Sequence, residues 1–171
     1  MNIFVLDKDP RLAAHMHCDK HVSKMILETA QMLSTAHHVY NTPQASSVYK
    51  KAYLNHPCTK WVRESIANYN WAWSLYHELL VVFKQRRGKH HKSGGLIHHL
   101  AHTPPLPNIG LTAFAQAMPD QYKNADAVQA YRTYYLNDKH YFASWDWPTA
   151  KTPYWWFQIE GKEIPVFSKV L

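Results

Sequence analysis

The sequence predicts a mainly α-helical protein: a single compact helical domain with a short N-terminal extended segment and a small β-like C-terminal tail. Two long segments repeat apolar residues every three or four positions, which is the spacing of helices with one buried face. With 171 residues, 46% of them hydrophobic, the chain can form one core. We therefore expect one domain over residues 1–171, with a helical body over about 1–147 and an aromatic-rich tail over 148–171.

The first predicted elements are an extended segment at residues 3–6 and a helix over about residues 10–38. Asp9 can cap this helix, and Pro10 fits its first turn. One face of the helix is apolar. The opposite face carries a set of residues that we call the polar stripe: His17, Lys20, His21, Lys24, Glu28, Gln31 and Thr35. Such a stripe is typical either of a solvated helix face or of the wall of a site.

The longest predicted helix spans about residues 56–87 and carries an unbroken apolar stripe. Pro57 fits its first turn, and Gly88 follows it in the position expected of a C-terminal cap. Residues 89–107 are basic, rich in histidine and interrupted by glycine and proline, which predicts a loop. A short helix is expected inside this loop at residues 96–101.

Two further helices are expected in the second half of the chain. One is short and spans residues 111–118. The other spans about residues 125–145, with Asn124 as its cap. The alternating pattern around residues 160–162 predicts a small hairpin or an extended tail.

The charge balance favours a polyanionic partner. Lysine and arginine together number 19 against 12 acidic residues, which gives a formal net charge of +7 with histidine neutral. A basic surface on a small domain is typical of proteins that bind DNA or RNA. Cys18 and Cys58 are too few for a disulfide framework, which predicts reduced thiols in an intracellular, cytoplasmic protein. The N-terminus does not resemble a secretory signal, and no apolar run predicts a membrane span.

The start of the polar stripe and its neighbour Asp19 supply the candidate catalytic residues Asp19, Lys20, His21 and His17. A neutral lysine amine is a nucleophile, which makes Lys20 a candidate for covalent chemistry. Alternatively, Asp19 could stabilise an oxocarbenium ion or activate water. His17 and His21 would line the site and move protons. The competing interpretation is a solvated face with ordinary charge pairs.

Other polar residues are candidates for binding a substrate or its phosphates. They are Lys24, His56, Arg63, Asn68, His90, Lys92, Arg132 and Lys139. Arginine suits phosphate because its planar fork can donate two hydrogen bonds at once. Helix caps, salt bridges and solvated faces are the alternative explanations for these residues.

The histidine-rich loop does not predict a metal site. His98 and His102 are four residues apart and could present two imidazoles to one metal on a helix. However, neither a cysteine pair nor an HExxH motif accompanies them. We therefore predict no metal and no cofactor, and we interpret His90 and Lys92 as part of a basic loop that contacts phosphate.

Several segments together carry a remote family resemblance. They are LAAHMHCDKHVSKMILE on the first helix, HELLVVFKQRRGKHHKSGGL at the end of the long helix, and MPDQY, YRTYY and TPYWW further on. In this order they resemble the small all-helical pyrimidine-dimer DNA glycosylases of the phage endonuclease V type. The motifs CDKH, NHPxxxWxRxSxxNY and MPDxY also look like those of uncharacterised phage-type proteins. The resemblance implies an intracellular location, and the interior of a phage-infected host cell is one such location.

The resemblance implies a specific chemistry, and the chain departs from it at two points. Members of that family attack the sugar C1′ with the amine of an N-terminal residue exposed by methionine removal, assisted by a glutamate on the first helix. Here Asn2 is large for efficient removal of the methionine. At the place of the helical glutamate, this chain offers Asp19 or Lys20.

Together these observations predict a nucleic-acid-acting enzyme without a cofactor, a DNA glycosylase or lyase in type. It would cleave or exchange an N-glycosidic bond of a modified or damaged pyrimidine, with DNA favoured over RNA. A non-catalytic nucleic-acid-binding protein is one alternative. A nucleotide-modifying enzyme acting on small substrates is another, although the chain lacks a glycine loop that would cradle phosphate.

Overall fold

The computed structural model describes residues 1–158, which form a helical fold. These residues contain six α-helices and no strand, which confirms the mainly α-helical prediction. The helices are α1 (Pro10–Met16), α2 (Asp19–Val39), α3 (Pro57–Val62), α4 (Ile66–Arg87), α5 (Ile97–Leu100) and α6 (Ala127–Asp138). Short 3₁₀ helices cover Pro43–Ser47, Lys92–Leu96, Asp120–Tyr122 and Tyr154–Phe157. The hairpin predicted around 160–162 lies outside the described residues.

The predicted helix over residues 10–38 is two helices, with a break at His17 and Cys18. Its start is as expected, because the Asp9 side chain accepts a hydrogen bond from the Arg11 backbone nitrogen. At the break, the buried Arg86 guanidinium donates to the carbonyl oxygens of His15 and His17 at 2.7 and 2.9 Å. Arg86 therefore satisfies carbonyls that a continuous helix would have paired itself.

The predicted helix over residues 56–87 is also two helices, separated at residues 63–65. Ser65 starts α4, because its side chain accepts a hydrogen bond from the backbone nitrogen of Asn68. The backbone nitrogen of Ile66 donates instead to the carbonyl of Pro107, which is distant in sequence. At the other end, Gly88 adopts φ 65°, and this left-handed cap matches the prediction.

Two predicted helices differ from the structure in the second half. Residues 111–118 form no helix, because polar side chains elsewhere bind their backbone: Thr112 N donates to Asn68 Oδ1, and Ala117 N lies 3.2 Å from the Tyr131 hydroxyl. The last predicted helix is shorter than residues 125–145. It starts at Asp126, whose side chain accepts from the backbone nitrogen of Val128, and it ends at Asp138.

The core lies between α2 and α4, with α1 against α4 and α3 against α2. The N-terminal residues 3–6 are buried in this core without forming a strand, and the Leu6 backbone nitrogen donates to the Phe4 carbonyl in a turn. Phe4 stacks on His21 of α2 with ring centroids 4.5 Å apart. The N-terminus therefore lies against α2, on the side that carries the polar stripe. None of the helices within residues 1–158 combines the length and the apolar character that crossing a bilayer requires.

Candidate active site

The polar stripe has a buried part and an exposed part, and the N-terminal segment contacts His17, His21 and Glu28 of the buried part. His17, His21, Glu28 and Thr35 are buried, and the remainder are exposed or half-buried. Buried charged groups require a charged or hydrogen-bonded partner. The buried carboxylate of Glu28 therefore needs such partners.

Glu28 holds the nitrogen atoms at the beginning of the chain. Its Oε2 accepts a hydrogen bond from the backbone nitrogen of Asn2 at 2.9 Å and lies 3.8 Å from the amino group of Met1. Its Oε1 lies 3.4 Å from Nζ of Lys24, one helical turn away. The Glu28 side chain is 11% exposed, so the carboxylate faces these nitrogens in a largely dry setting. We call Glu28 and the backbone nitrogen of Asn2, which is an amide nitrogen while Met1 is attached, the amine–carboxylate pair.

The Asn2 side chain fixes the position of that nitrogen. Its Oδ1 accepts from the backbone nitrogen of Ile3 at 2.8 Å and from the Cys58 thiol at 3.4 Å. The Tyr131 hydroxyl lies 3.0 Å from the same oxygen, and Asn2 Nδ2 donates to the Ala117 carbonyl at 2.8 Å. The Asn2 side chain, which is larger than a small N-terminal residue, is thus hydrogen-bonded to Cys58, Ala117 and Tyr131, three residues that are distant in sequence.

The groups around Asn2 keep their protons at neutral pH. Burial raises the pKa of the Cys58 thiol to about 11, and burial raises that of the Tyr131 hydroxyl well above its ordinary value. Burial lowers the pKa of His56, and the positive charge of the Met1 amino group lowers it further. His56 Nδ1 accepts from the backbone nitrogen of Cys58, which makes His56 the cap of α3. The Asn2 side chain therefore binds neutral donors and acceptors, whereas Glu28 faces the positive charges of Lys24 and the Met1 amino group.

Asp19 lies in a different network, at the N-terminus of α2. Its Oδ1 lies 3.1 Å from Arg86 Nη1, and both side chains are at most 5% exposed. Its Oδ2 accepts from the backbone nitrogens of Asp146 and Trp147 at 2.6 and 2.8 Å. Both carboxylate oxygens therefore join parts of the fold. The predicted catalytic role of Asp19 stays a prediction.

His17 and His21 are buried in their neutral form. Burial lowers the pKa of His17 to about 4 and that of His21 to about 2. His17 Nδ1 lies 2.6 Å from the Ala13 carbonyl, and His21 Nδ1 lies 2.6 Å from the Tyr135 hydroxyl. The first contact lies at the end of α1, and the second joins α2 to α6. Neither histidine contacts the amine–carboxylate pair through any of these bonds.

Of the two stripe lysines, Lys24 contacts Glu28 and Lys20 does not. Lys20 is exposed, and its Nζ lies 4.6 Å from the centre of the Phe142 ring. Both lysines line the same surface groove beside α2. The structure thus places Lys24 next to the amine–carboxylate pair and Lys20 one turn further away.

The remaining candidates from α3 and α4 contact the backbone. Arg63 donates to the carbonyls of Thr59 and Leu54 at 3.0 and 2.8 Å. The buried Asn68 donates to the Trp61 carbonyl and accepts from the backbone nitrogen of Thr112. Their predicted substrate contacts stay predictions, and these bonds give both side chains a structural role.

The other candidates are spread over the surface. His90 and Lys92 are exposed after α4. Arg132 donates to the Leu6 carbonyl at 2.9 Å, and Lys139 Nζ lies 4.5 Å from the centre of the Tyr134 ring. The structure therefore does not gather the predicted phosphate-binding residues into one site.

Sequence reasoning missed the two members of the amine–carboxylate pair. Glu28 was on the predicted polar stripe but was not proposed as catalytic, and Asn2 was considered only for its size. A usable signal existed, because Glu28 follows Lys24 by one turn and is the only acidic member of the stripe. The contact with residue 2 depends on tertiary structure and has no local sequence signal.

The histidine-rich loop does not form a metal-binding group. Within residues 1–158, no cluster of three or more histidine, cysteine, aspartate or glutamate side chains could hold a metal ion. His98 and His102 are both exposed.

Comparison with known proteins adds one finding. The family model described as pyrimidine dimer DNA glycosylase matches residues 1–94. This range contains α1 to α4 and both members of the amine–carboxylate pair. Neither the curated proteins nor the solved structures contain a match to the chain.

Proposed function

Since the chain belongs to the pyrimidine dimer DNA glycosylase family, we propose that it cleaves the N-glycosidic bond of a damaged or modified pyrimidine in DNA with an amine held at Glu28. The observation that carries this proposal is the 2.9 Å contact between Glu28 Oε2 and the backbone nitrogen of Asn2. The proposal requires that Met1 be removed despite the size of Asn2, and the nitrogen of Asn2 is then an α-amine. Glu28 is then the helical glutamate that the family resemblance implies.

The chemistry replaces the bond from C1′ to the base by a bond from C1′ to the amine, and then breaks the bond from C1′ to the ring oxygen. The lone pair of the Asn2 α-amine attacks C1′, and the bond from C1′ to the base nitrogen breaks. The base leaves with the bonding electron pair and takes up a proton. The second amine proton is then lost, the bond from C1′ to the ring oxygen breaks and that oxygen takes up a proton, which leaves an imine between the enzyme and C1′. Such an imine can be reduced by borohydride to a stable amine.

Glu28 suits this step because it already contacts the nitrogen. A carboxylate 2.9 Å from the amine can orient its lone pair and accept the proton that the nitrogen loses. Lys24 lies on the other carboxylate oxygen and holds the carboxylate in place. The Asn2 side chain and its partners fix the nitrogen, which is the kind of positioning that makes an intramolecular attack efficient.

The sequence also suggested two other residues, Lys20 and Asp19, for the role in catalysis that we assign to the amine held at Glu28. Lys20 could supply the amine, but its Nζ lies over the Phe142 ring and two turns along α2 from Glu28. Asp19 could assist hydrolysis, but both its oxygens already bind Arg86 and the backbone of residues 146–147. The geometry favours Glu28 over both. Because a base inside a duplex is shielded, the enzyme must also distort or flip it.

The test is borohydride trapping with a matched pair of variants. The protein is incubated with duplex oligonucleotides that carry a thymine dimer, an abasic site or a modified pyrimidine, and the covalent band is followed over time. Glu28→Gln should slow trapping by about 10²- to 10⁴-fold, which is the usual size of a general acid–base contribution. Glu64→Gln, an exposed control at the end of α3, should trap at the wild-type rate.

The outcomes separate the hypotheses. Equal trapping by Glu28→Gln and wild type would overturn the proposed role of Glu28. A band that disappears only in Lys20→Ala would move the amine to Lys20. Tight DNA binding without a band on any of the three substrates would favour the non-catalytic alternative.

A further inference from the structure

A basic surface groove lies next to the amine–carboxylate pair on α2. Its volume is about 470 Å³, and its lining includes Lys20 and Lys24 of α2 and Arg87 and Lys89 at the end of α4. Phe83 and Trp147 form its aromatic walls. We call this feature the basic groove. With a helical rise of 1.5 Å per residue, Lys24 and Lys20 lie about 6 and 12 Å along α2 from Glu28.

The charges of the basic groove point to an anionic ligand. Every charged side chain in its lining is a cation, and of the four only Lys24 forms an ion pair, with Glu28, among the described residues. Like charges brought together in one small volume repel each other, and a bound anion relieves that repulsion. The volume is in the range of small-ligand pockets, so it accommodates a nucleotide unit as well as a bare phosphate.

The walls of the basic groove are fixed in place by the Asp19 network. Asp19 Oδ2 accepts from the backbone nitrogens of Asp146 and Trp147, which anchors the Trp147 ring beside α4. The Arg87 guanidinium lies 4.5 Å from the centre of that ring. Arg87 directly follows Arg86, the buried partner of Asp19. The Arg87 guanidinium is therefore stacked on an aromatic ring that is itself fixed in place. Because the guanidinium is already ordered, it loses less conformational entropy when it binds a ligand.

We propose that the basic groove binds the phosphodiester backbone of the DNA strand that contains the reacting nucleotide, an inference that rests on the proposed function. Arg87 is suited to this role because a guanidinium donates two parallel hydrogen bonds to a phosphate. One DNA strand rises about 3.4 Å per nucleotide, so the groove lies about two to four nucleotides from the reacting sugar. Trp147 lies outside residues 1–94, so the second half of the chain completes this site.

The test measures how DNA affinity depends on salt. A fluorescent duplex with a tetrahydrofuran abasic analogue, which cannot form an imine, is titrated with the full-length protein between 50 and 200 mM NaCl. Each phosphate contact that is lost should reduce the slope of log K against log salt by about 0.9 and weaken binding about eightfold near 0.1 M salt. Arg87→Gln and Lys89→Gln should each show this change.

The matched control is Lys84→Gln. Lys84 is an exposed lysine on the same helix, but it lines a different cavity beside the histidine-rich loop. Its loss should leave the slope unchanged. All three side chains are exposed, so the substitutions should leave the fold intact. Thermal unfolding of each variant checks this.

The outcomes distinguish this inference from the proposed chemistry. Slopes of Arg87→Gln and Lys89→Gln equal to that of Lys84→Gln would overturn the basic groove as a phosphate site, whatever the trapping assay shows. Reduced slopes in a protein that never traps a substrate would support the groove and refute the imine chemistry. An effect of these variants on an RNA duplex of the same sequence but not on the DNA duplex would overturn the assignment to DNA.

Discussion

Replacing Asp19 by asparagine should cost the protein much of its stability. The change removes the charge from a carboxylate that faces Arg86 at 3.1 Å, with both side chains at most 5% exposed. Breaking such a buried pair on one side costs about 3–5 kcal/mol, because the other charge is left uncompensated. The asparagine amide also has one acceptor oxygen where aspartate has two. Its NH₂ group must therefore face either Arg86 or the two backbone N–H groups of residues 146 and 147, and these are all donors.

The assay is urea unfolding followed by tryptophan fluorescence at neutral pH. With a slope of about 2 kcal/mol per molar urea for a chain of this size, a loss of about 4 kcal/mol lowers the midpoint by about 2 M. Asp146→Asn is the matched control, since Asp146 is exposed in the same loop, and its midpoint should stay within about 0.25 M of wild type. An unchanged midpoint for Asp19→Asn, together with lost trapping, would refute the structural role and restore Asp19 as a catalytic candidate.

Two further predictions concern acid stability and the N-terminal anchor. The pKa values of His17 and His21 lie below that of an unfolded histidine, so their contribution to stability is present above pH 6.5 and is lost as the pH falls toward 4. In that range each histidine should lower the free energy of unfolding by about 1.4 kcal/mol for each unit by which the pH falls. In urea unfolding, the free energy of His17→Leu should therefore fall by about 1.4 kcal/mol less per pH unit than that of the wild type. The same pH dependence in both proteins would contradict this. Asn2→Ala should destabilise the fold by about 2–4 kcal/mol, because it leaves the Ala117 carbonyl and the buried backbone nitrogen of Ile3 without their side-chain partner, and should slow trapping. Wild-type stability in that variant would show that Asn2 does not anchor the chain.

The main features of the fold could be predicted from local sequence patterns. The apolar spacing predicted the long helices, Asp9 predicted the start of the first one, and Gly88 predicted the end of the longest one. These signals are local, because a cap or a periodic face depends only on residues within a few positions.

The breaks in the helices could not be predicted because their causes are distant in sequence. The break after α1 depends on Arg86, which lies about 70 residues away, and residues 111–118 follow an irregular path because Asn68 and Tyr131 bind their backbone. The same limit applies to the site. The polar stripe is not one continuous helix face, because His17 lies in the break between α1 and α2, and the N-terminal segment packs over His21 and Glu28.

The choice among the charged residues of the stripe also depended on tertiary contacts. Asp19 and Glu28 are both acidic residues on the same helix, and although only Glu28 belongs to the polar stripe, that local difference does not show what either carboxylate binds. In the structure, Asp19 binds Arg86 and a loop, whereas Glu28 binds the nitrogen of Asn2. Only the second arrangement places a carboxylate on a potential nucleophile.

The most direct test of the central claim is the mass of the borohydride-trapped peptide. The protein is trapped on an abasic duplex, digested, and the peptide that carries the sugar is identified by mass spectrometry. The account predicts an N-terminal peptide that begins at Asn2, with the sugar on its α-nitrogen. A sugar on the side chain of Lys20, or on any other lysine, would contradict the proposal that the amine held by Glu28 performs the chemistry.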